Sequence, residues 1–261
     1  MTVATQEKLF RIAFRNLSFY SVFTQNREFP SKLGEASLYF PLVGFFFGLS
    51  FMVIFATVSK VADTEWSCLS VLVFMVGIFT GRQYQSCLSF VGVLGEQVRE
   101  REKENVVLAL DIIRVLFIFG LFMLKFLALT HLGKGWILGM LVVVPTVSCW
   151  SKVYLWYSFA LDVPKIKESS YMGCVGGLEF GGATVFTTLV VGVFMGLEGL
   201  FMLMFISLWT AILERWAVSK PSEAFQSFVG VAMELNEILF LLGLIAMRKG
   251  FAISTGEGVW L

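Results

Sequence analysis

The chain has 261 residues, of which 57% are hydrophobic and 15% charged, whereas soluble domains average about 45–50% and about 25%. A mean hydropathy of +0.80 is too high for a water-soluble fold of this size, so the composition predicts an integral membrane protein in contact with the lipid bilayer. The formal net charge of +1 shows no global excess of one sign that would point to nucleic acid or a polyanionic partner, so we expect no nucleic-acid partner, and the shortage of polar residues excludes intrinsic disorder.

Residues 1–37 are predicted to form an N-terminal interfacial segment. Four apolar residues recur at helical spacing and three basic residues fall on the other side; these are Phe10, Ala13, Phe14 and Leu17, against Lys8, Arg11 and Arg15. This pattern is typical of a helix that lies on a membrane surface with its basic residues toward the headgroups. The segment lacks the features of a signal peptide, so we expect it to be retained.

Apolar segments then predict an all-α polytopic bundle of about seven spans over residues 38–247, with 248–261 as a tail and the whole chain as one membrane domain. The segments are 38–58, 66–81, 106–132, 136–157, 178–196, 197–217 and 225–247. The second is short for a span, and only a few residues around Gly196 divide the fifth from the sixth. Pro145 is predicted to kink the fourth, because its ring removes an intrahelical hydrogen bond. The four cysteines lie far apart and are predicted to be small buried hydrophobes.

Basic residues set the predicted orientation. With a cytoplasmic N-terminus, fourteen Lys and Arg residues lie on the cytoplasmic side, four lie outside, and Arg114 and Lys125 lie within a span. Residues 82–105, 158–177 and 218–224 then face the cytoplasm. We therefore expect polar chemistry at this face or just beneath it.

Charged residues inside the spans are the first candidates for function, because ionisable groups in lipid are energetically expensive. By helical-wheel arithmetic, Glu104, Asp111, Arg114 and Lys125 fall within a stripe of about 80° on the third span. Asp111 and Arg114 could neutralise each other and only help the helices pack. Alternatively, the stripe lines a polar cavity that opens to the cytoplasm.

Glu234 and Glu237 form a second candidate on one face of the last span. Two carboxylates so placed repel each other unless a cation, a proton or a basic partner lies between them. Metal coordination, a proton site and a salt bridge to Lys125 or Arg114 are all open. In each case we expect both side chains to face the bundle interior.

Four stretches resemble the cobalamin synthase family, the membrane adenosylcobinamide-GDP ribazoletransferases, in the same order and with similar spacing. They are YFPLVG at 39–44, LSVLV at 69–73 leading to Thr80 and Gly81, LKFLAL at 124–129, and AMELNEILFLL at 232–242. The family's aspartate motif, however, is replaced. Ser86, Phe90 and Val93 stand where its metal-binding aspartates would be.

The resemblance implies transfer of cobinamide phosphate from its GDP ester to α-ribazole, with release of GMP, in a bacterial inner membrane. It implies Mg²⁺ as cofactor and a corrinoid nucleotide as substrate. Among the surviving charged residues, it points to Asp111, Glu234 and Glu237 for the metal and to Arg114 and Lys125 for phosphate. These five are the candidate catalytic residues, with the metal ligands unassigned.

Because the three aspartates are missing, we expect weak or no transfer. Two other functions stay open. One is a catalytically silent scaffold or binding protein descended from the family, which binds a corrinoid or a lipid or assembles with other membrane proteins or with a second copy of the chain. The other is a small transporter with ion or proton sites at Asp111 and Glu234.

Overall fold

The computed structural model describes residues 3–18, 30–79, 86, 88–89, 105–162, 175–218 and 222–255. Within these ranges the regular elements are all helical, as the sequence predicts. In chain order they are α1 (Val3–Leu17), α2 (Pro30–Ala36), a short 3₁₀ helix (Ser37–Tyr39), α3 (Phe40–Val58), α4 (Thr64–Phe79), α5 (Asn105–Thr130), α6 (Lys134–Asp162), α7 (Gly177–Val218) and α8 (Ser222–Thr255). Helix α8 therefore continues past Met247 into the segment predicted as a tail.

Five helical stretches of the described chain are long and apolar enough to cross a membrane. They are Lys32–Val58, Ile112–Thr130, Lys134–Leu161, Gly177–Trp216 and Ser227–Arg248, with a shorter apolar helix at Thr64–Gly77. A span needs about 20 residues to cross the hydrocarbon core. The chain is therefore an integral membrane protein.

Helix α7 is broken at Gly196. This residue has φ 59° and ψ −146°, a conformation that glycine adopts without the steric cost that a Cβ brings. In a straight helix, Val191 and Gly199 would lie about 12 Å apart along the axis, because they are eight residues apart. Here a Cβ built on Gly199 would lie only 2.9 Å from Cγ1 of Val191. The chain therefore folds back at Gly196, and residues 177–195 and 197–218 form a helical hairpin. The sequence predicts a division at this point.

Helix α6 lies at the centre of the bundle. The most apolar stretch of α6 is 78% buried, against 22% for that of α5, because α6 packs on α3, α7 and α8 while α5 packs mainly on α4 and α8. Both ends of α8 contact α6 in antiparallel order. The rings of Phe159 and Phe225 stack with centroids 4.2 Å apart, and at the other end Arg248 lies over the ring of Trp136 at 4.0 Å.

Two glycines allow α3 to approach α6 closely. A Cβ on Gly44 would lie 2.6 Å from the carbonyl oxygen of Pro145, and a Cβ on Gly48 would lie 2.6 Å from the Cα of Val142. Small residues four apart let helix backbones meet in membranes.

Pro145 lies inside α6 and offers no N–H to the carbonyl of Leu141, four residues earlier. That carbonyl oxygen lies 2.7 Å from the Cβ position of Gly48. The kink predicted at Pro145 stays a prediction.

Helix α1 packs on the bundle, and its predicted position at the membrane surface stays a prediction. Its buried side chains, Leu9, Ala13 and Leu17, pack on the protein, whereas Phe14 is exposed. An amphipathic face buries its apolar residues against whatever apolar surface is in reach, and here that surface is largely the bundle. Of the four cysteines, Cys68 and Cys149 are free and buried, as predicted. Cys87 and Cys174 lie outside the described residues.

Candidate functional site: a buried charged cluster

One lysine joins the two glutamates of α8. Lys125 of α5 donates from Nζ to Oε2 of Glu237 at 2.5 Å and also contacts Oε2 of Glu234. The three side chains are 3%, 2% and 1% exposed for Lys125, Glu234 and Glu237. Both glutamates therefore face the bundle interior, as predicted. Lys125, rather than Arg114, is the basic residue that the structure pairs with them.

Helix geometry explains why the three groups meet. Glu234 and Glu237 are three residues apart, so they project from one face of α8. They lie about 10 Å and 15 Å along the helix from Ser227, at a rise of 1.5 Å per residue, where the apolar stretch of α8 begins. The cluster is therefore well inside the membrane rather than at its surface.

Apolar side chains surround the cluster. A small cavity of about 20 Å³ adjoins Lys125 and Glu237, which is room for about one water molecule. Its other lining residues are Phe51, Leu72, Met75, Leu129, Met140, Leu141, Val144, Pro145 and Leu241. In such surroundings charges cost free energy unless they are paired. One ammonium group thus faces two carboxylates, so Lys125 compensates at most one negative charge, and removing it leaves both glutamates without a counter-ion.

A hydrogen-bonded pair beside the cluster links α8 to α7. Asn236 donates from Nδ2 to Oγ1 of Thr210 at 3.0 Å, and Thr210 donates to the carbonyl oxygen of Ile206 at 2.7 Å. Both side chains are fully buried. Sequence reasoning assigned no role to either residue. The available signal was an Asn in one apolar span with a Thr in another, since such pairs commonly hydrogen-bond across membrane helices.

The other two candidate residues do not join this cluster. Asp111 precedes Lys125 by fourteen residues on α5, which is about 21 Å along a helix, and Arg114 precedes it by about 16 Å. The side chain of Asp111 lies outside the described ones, as does Glu104. The expectation that Asp111, Glu234 and Glu237 share one metal stays a prediction, and the rise along α5 separates the backbone of Asp111 from that of Lys125 by about 21 Å.

The described residues do not fit a Mg²⁺ site. Among them, no group of three or more His, Cys, Asp or Glu side chains could hold a metal ion. The Oε2 atoms of Glu234 and Glu237 already accept from an ammonium group, and Mg²⁺ requires near-octahedral oxygen coordination. Of the positions that correspond to the family's aspartates, Ser86 is described, and Phe90 and Val93 lie outside the described residues.

Fold and cluster together define a class: a helical integral membrane protein with a buried Lys–Glu–Glu group between two of its spans. Comparison with known proteins makes this more specific. The chain is a distant relative of an adenosylcobinamide-GDP ribazoletransferase from Geotalea daltonii, to which it is 26% identical over 256 residues, covering 94% of this chain and 99% of the relative. The resemblance drawn from the motifs is thereby confirmed as distant homology. No protein-family model matches the chain, and no solved structure does either.

Proposed function

We propose that the protein is a membrane relative of the ribazoletransferases that takes a corrinoid nucleotide as its substrate or ligand. The observation that carries this proposal is the length of the homology, which covers 94% of this chain and 99% of the relative. A match of that extent covers nearly the whole chain rather than one apolar helix. The reaction to test is transfer of cobinamide phosphate from its GDP ester to the hydroxyl of α-ribazole, with release of GMP.

The proposed topology has seven spans and a cytoplasmic N-terminus in a bacterial inner membrane. It counts the hairpin of α7 as two spans and the shorter helix α4 as one. Antiparallel contacts support this count, because the start of α3 meets the end of α6 through Phe40 and Trp156, whose ring centroids are 5.4 Å apart. The cytoplasmic side then carries fourteen of the basic residues, in agreement with the positive-inside rule.

We assign different roles to the five candidate residues. Lys125, Glu234 and Glu237 hold α5 against α8, because they are paired with one another and buried. Asp111 and Arg114 lie at the end of α5 that this topology places toward the cytoplasm, where a water-soluble nucleotide would arrive. A guanidinium group binds phosphate through two parallel hydrogen bonds, so Arg114 is the proposed phosphate contact.

Metal-dependent turnover is expected to be weak or absent. Replacing hard oxygen ligands by Ser86, Phe90 and Val93 removes charge that Mg²⁺ binding needs, and the glutamates of α8 are engaged by Lys125. A second candidate function follows from this observation: a catalytically silent protein that binds the corrinoid nucleotide without transferring it.

One experiment separates these functions. Purified protein is mixed with cobinamide-GDP, with and without α-ribazole and Mg²⁺, and both nucleotide binding and GMP release are measured. Binding without turnover supports the silent protein, and slow Mg²⁺-dependent turnover supports a weak transferase. The absence of binding would refute the proposed substrate class. Robust turnover that Glu234→Gln abolishes without lowering the melting temperature would refute the structural role given to that glutamate.

A variant in which Ser86, Phe90 and Val93 are all replaced by Asp tests the argument about the metal. We expect it to bind Mg²⁺ more tightly than the unmodified protein, as measured by calorimetry. The matched control places three Asp residues at exposed positions on the opposite side, Lys60, Val61 and Lys134, which add the same number of carboxylates. Equal Mg²⁺ affinity of the two variants would contradict the proposed position of the ancestral metal site.

A further inference from the structure

Helix α1 has a second apolar flank in addition to its buried face. Phe10 lies against Phe46 of α3 with ring centroids 6.1 Å apart, and Phe14 lies against Phe47 at 5.3 Å. Phe14 is 40% exposed and Phe46 47% exposed. Because Phe46 belongs to the span Lys32–Val58, this aromatic edge faces the apolar part of the bilayer.

A polar contact fixes α1 to the end of the bundle. Asn16 accepts a hydrogen bond at Oδ1 from Nζ of Lys152, at 2.8 Å. The same ammonium group lies over the rings of Phe40, at 5.1 Å, and Trp156, at 4.9 Å. Helix α1 thus docks beside the start of α3 and the end of α6, which lie at the same end of the bundle.

The remaining face of α1 is basic. Lys8, Arg11 and Arg15 occur at i, i+3 and i+7, within about 60° on the helical wheel, and they lie nearly opposite the buried face. Lys8 and Arg11 are exposed. Arg11 also pairs with Glu7, at 2.6 Å, on the exposed surface of the helix, where ion pairs are weak.

We propose that α1 and the aromatic edge of α3 form a binding site for an anionic phospholipid. Its headgroup phosphate contacts the basic stripe of Lys8, Arg11 and Arg15, and its acyl chain packs against Phe14 and Phe46. Charge complementarity selects the lipid, because basic residues held at the headgroup level attract anionic lipids. The site lies on the outside of the bundle, and the proposal does not depend on the ribazole reaction.

The test uses the full chain purified in a neutral detergent. Binding of phosphatidylglycerol and of phosphatidylcholine is titrated by native mass spectrometry, with glycerol phosphate added separately as the free headgroup. The variant Lys8→Gln/Arg11→Gln removes two exposed charges of the stripe. Its matched control, Lys60→Gln/Lys134→Gln, removes two exposed charges from the opposite side of the bundle.

We expect the unmodified protein to bind phosphatidylglycerol at least tenfold more tightly than phosphatidylcholine, with weak or no binding of glycerol phosphate. Each basic residue near an anionic surface contributes about a fivefold factor, so the stripe variant loses about twentyfold in affinity, and the control keeps its affinity. Equal affinity for both lipids, an equal loss in the control, or tight binding of free glycerol phosphate would overturn the proposal. If the double variant does not fold, the single variant Lys8→Gln is compared with Lys60→Gln. We then expect Lys8→Gln to lose about fivefold in affinity for phosphatidylglycerol and Lys60→Gln to keep its affinity.

Discussion

Replacing Lys125 by Met tests whether the cluster holds α5 to α8. Methionine keeps the unbranched apolar stem and removes the ammonium group, so Glu234 and Glu237 lose the Nζ contact that they share. Breaking a buried ion pair from one side costs about 3–5 kcal/mol of unfolding free energy, because a charge is left uncompensated. For a chain of this size, each kcal/mol lowers the melting temperature by about 2–4 °C. We expect a decrease of about 6–20 °C.

Thermal unfolding of the detergent-purified protein, followed by the fluorescence of its seven tryptophans, measures this decrease. Two controls show whether uncompensated charge is the cause. The triple variant Lys125→Met/Glu234→Gln/Glu237→Gln removes all three charges, and we expect it to recover at least half of the loss, since replacing a whole buried ion group is often neutral. Lys134→Met, at an exposed position, is expected to change stability by less than about 0.5 kcal/mol.

The reasoning is refuted by either of two results. A Lys125→Met protein that melts with the unmodified one would mean that the glutamates do not need the ammonium group. A triple variant that is no more stable than the single one would mean that side-chain shape, rather than charge, accounts for the loss.

Three further measurements test the packing and the topology. Gly48→Ala is expected to destabilise the protein by about 1–3 kcal/mol, because its Cβ would meet the backbone of α6. Gly77→Ala serves as the control, since a Cβ at Gly77 would face open space. Equal melting temperatures of the two variants would contradict the close approach of α3 to α6. Single cysteines at Ser31 and Thr255, in a background without the native cysteines, should be labelled from opposite sides of the membrane, whereas labelling from one side would refute an odd span count. Thr210→Val removes the acceptor for the Asn236 amide, and we expect a loss of about 0.6 kcal/mol, near the average for hydrogen bonds between membrane helices; a gain in melting temperature would contradict that contact.

The sequence predicts the helices and the inward orientation of the glutamate pair well. Both predictions rest on local physics, since an apolar run long enough to span is helical in lipid and carboxylates avoid the acyl chains. The choice between Lys125 and Arg114 as partner could not be made in the same way. It depends on the register between α5 and α8, which is set by packing along the whole length of both helices.

The candidate residues of the predicted charged stripe are spread along the axis of α5, and their meeting at a single site stays a prediction. A helical wheel records the direction of each side chain around the axis and discards its position along the axis. Asp111 and Lys125 share a direction but are about 21 Å apart. The amphipathic pattern of α1 has a similar limit, because a row of apolar residues packs equally well on lipid or on protein. Only the tertiary structure shows that Leu9 and Ala13 are buried in the bundle.

In the part of the chain that the structure describes, protein side chains and backbone make the contacts between the helices. Lys125 pairs with both glutamates of α8, and Gly44 and Gly48 let α3 approach the backbone of α6 closely. If Ser86, Phe90 and Val93 replace metal-binding aspartates, as the resemblance implies, that replacement leaves these contacts in place. The paired glutamates of α8 are accordingly an argument about packing. Shared activity has to be argued from the residues at the cytoplasmic face, where the nucleotide would bind.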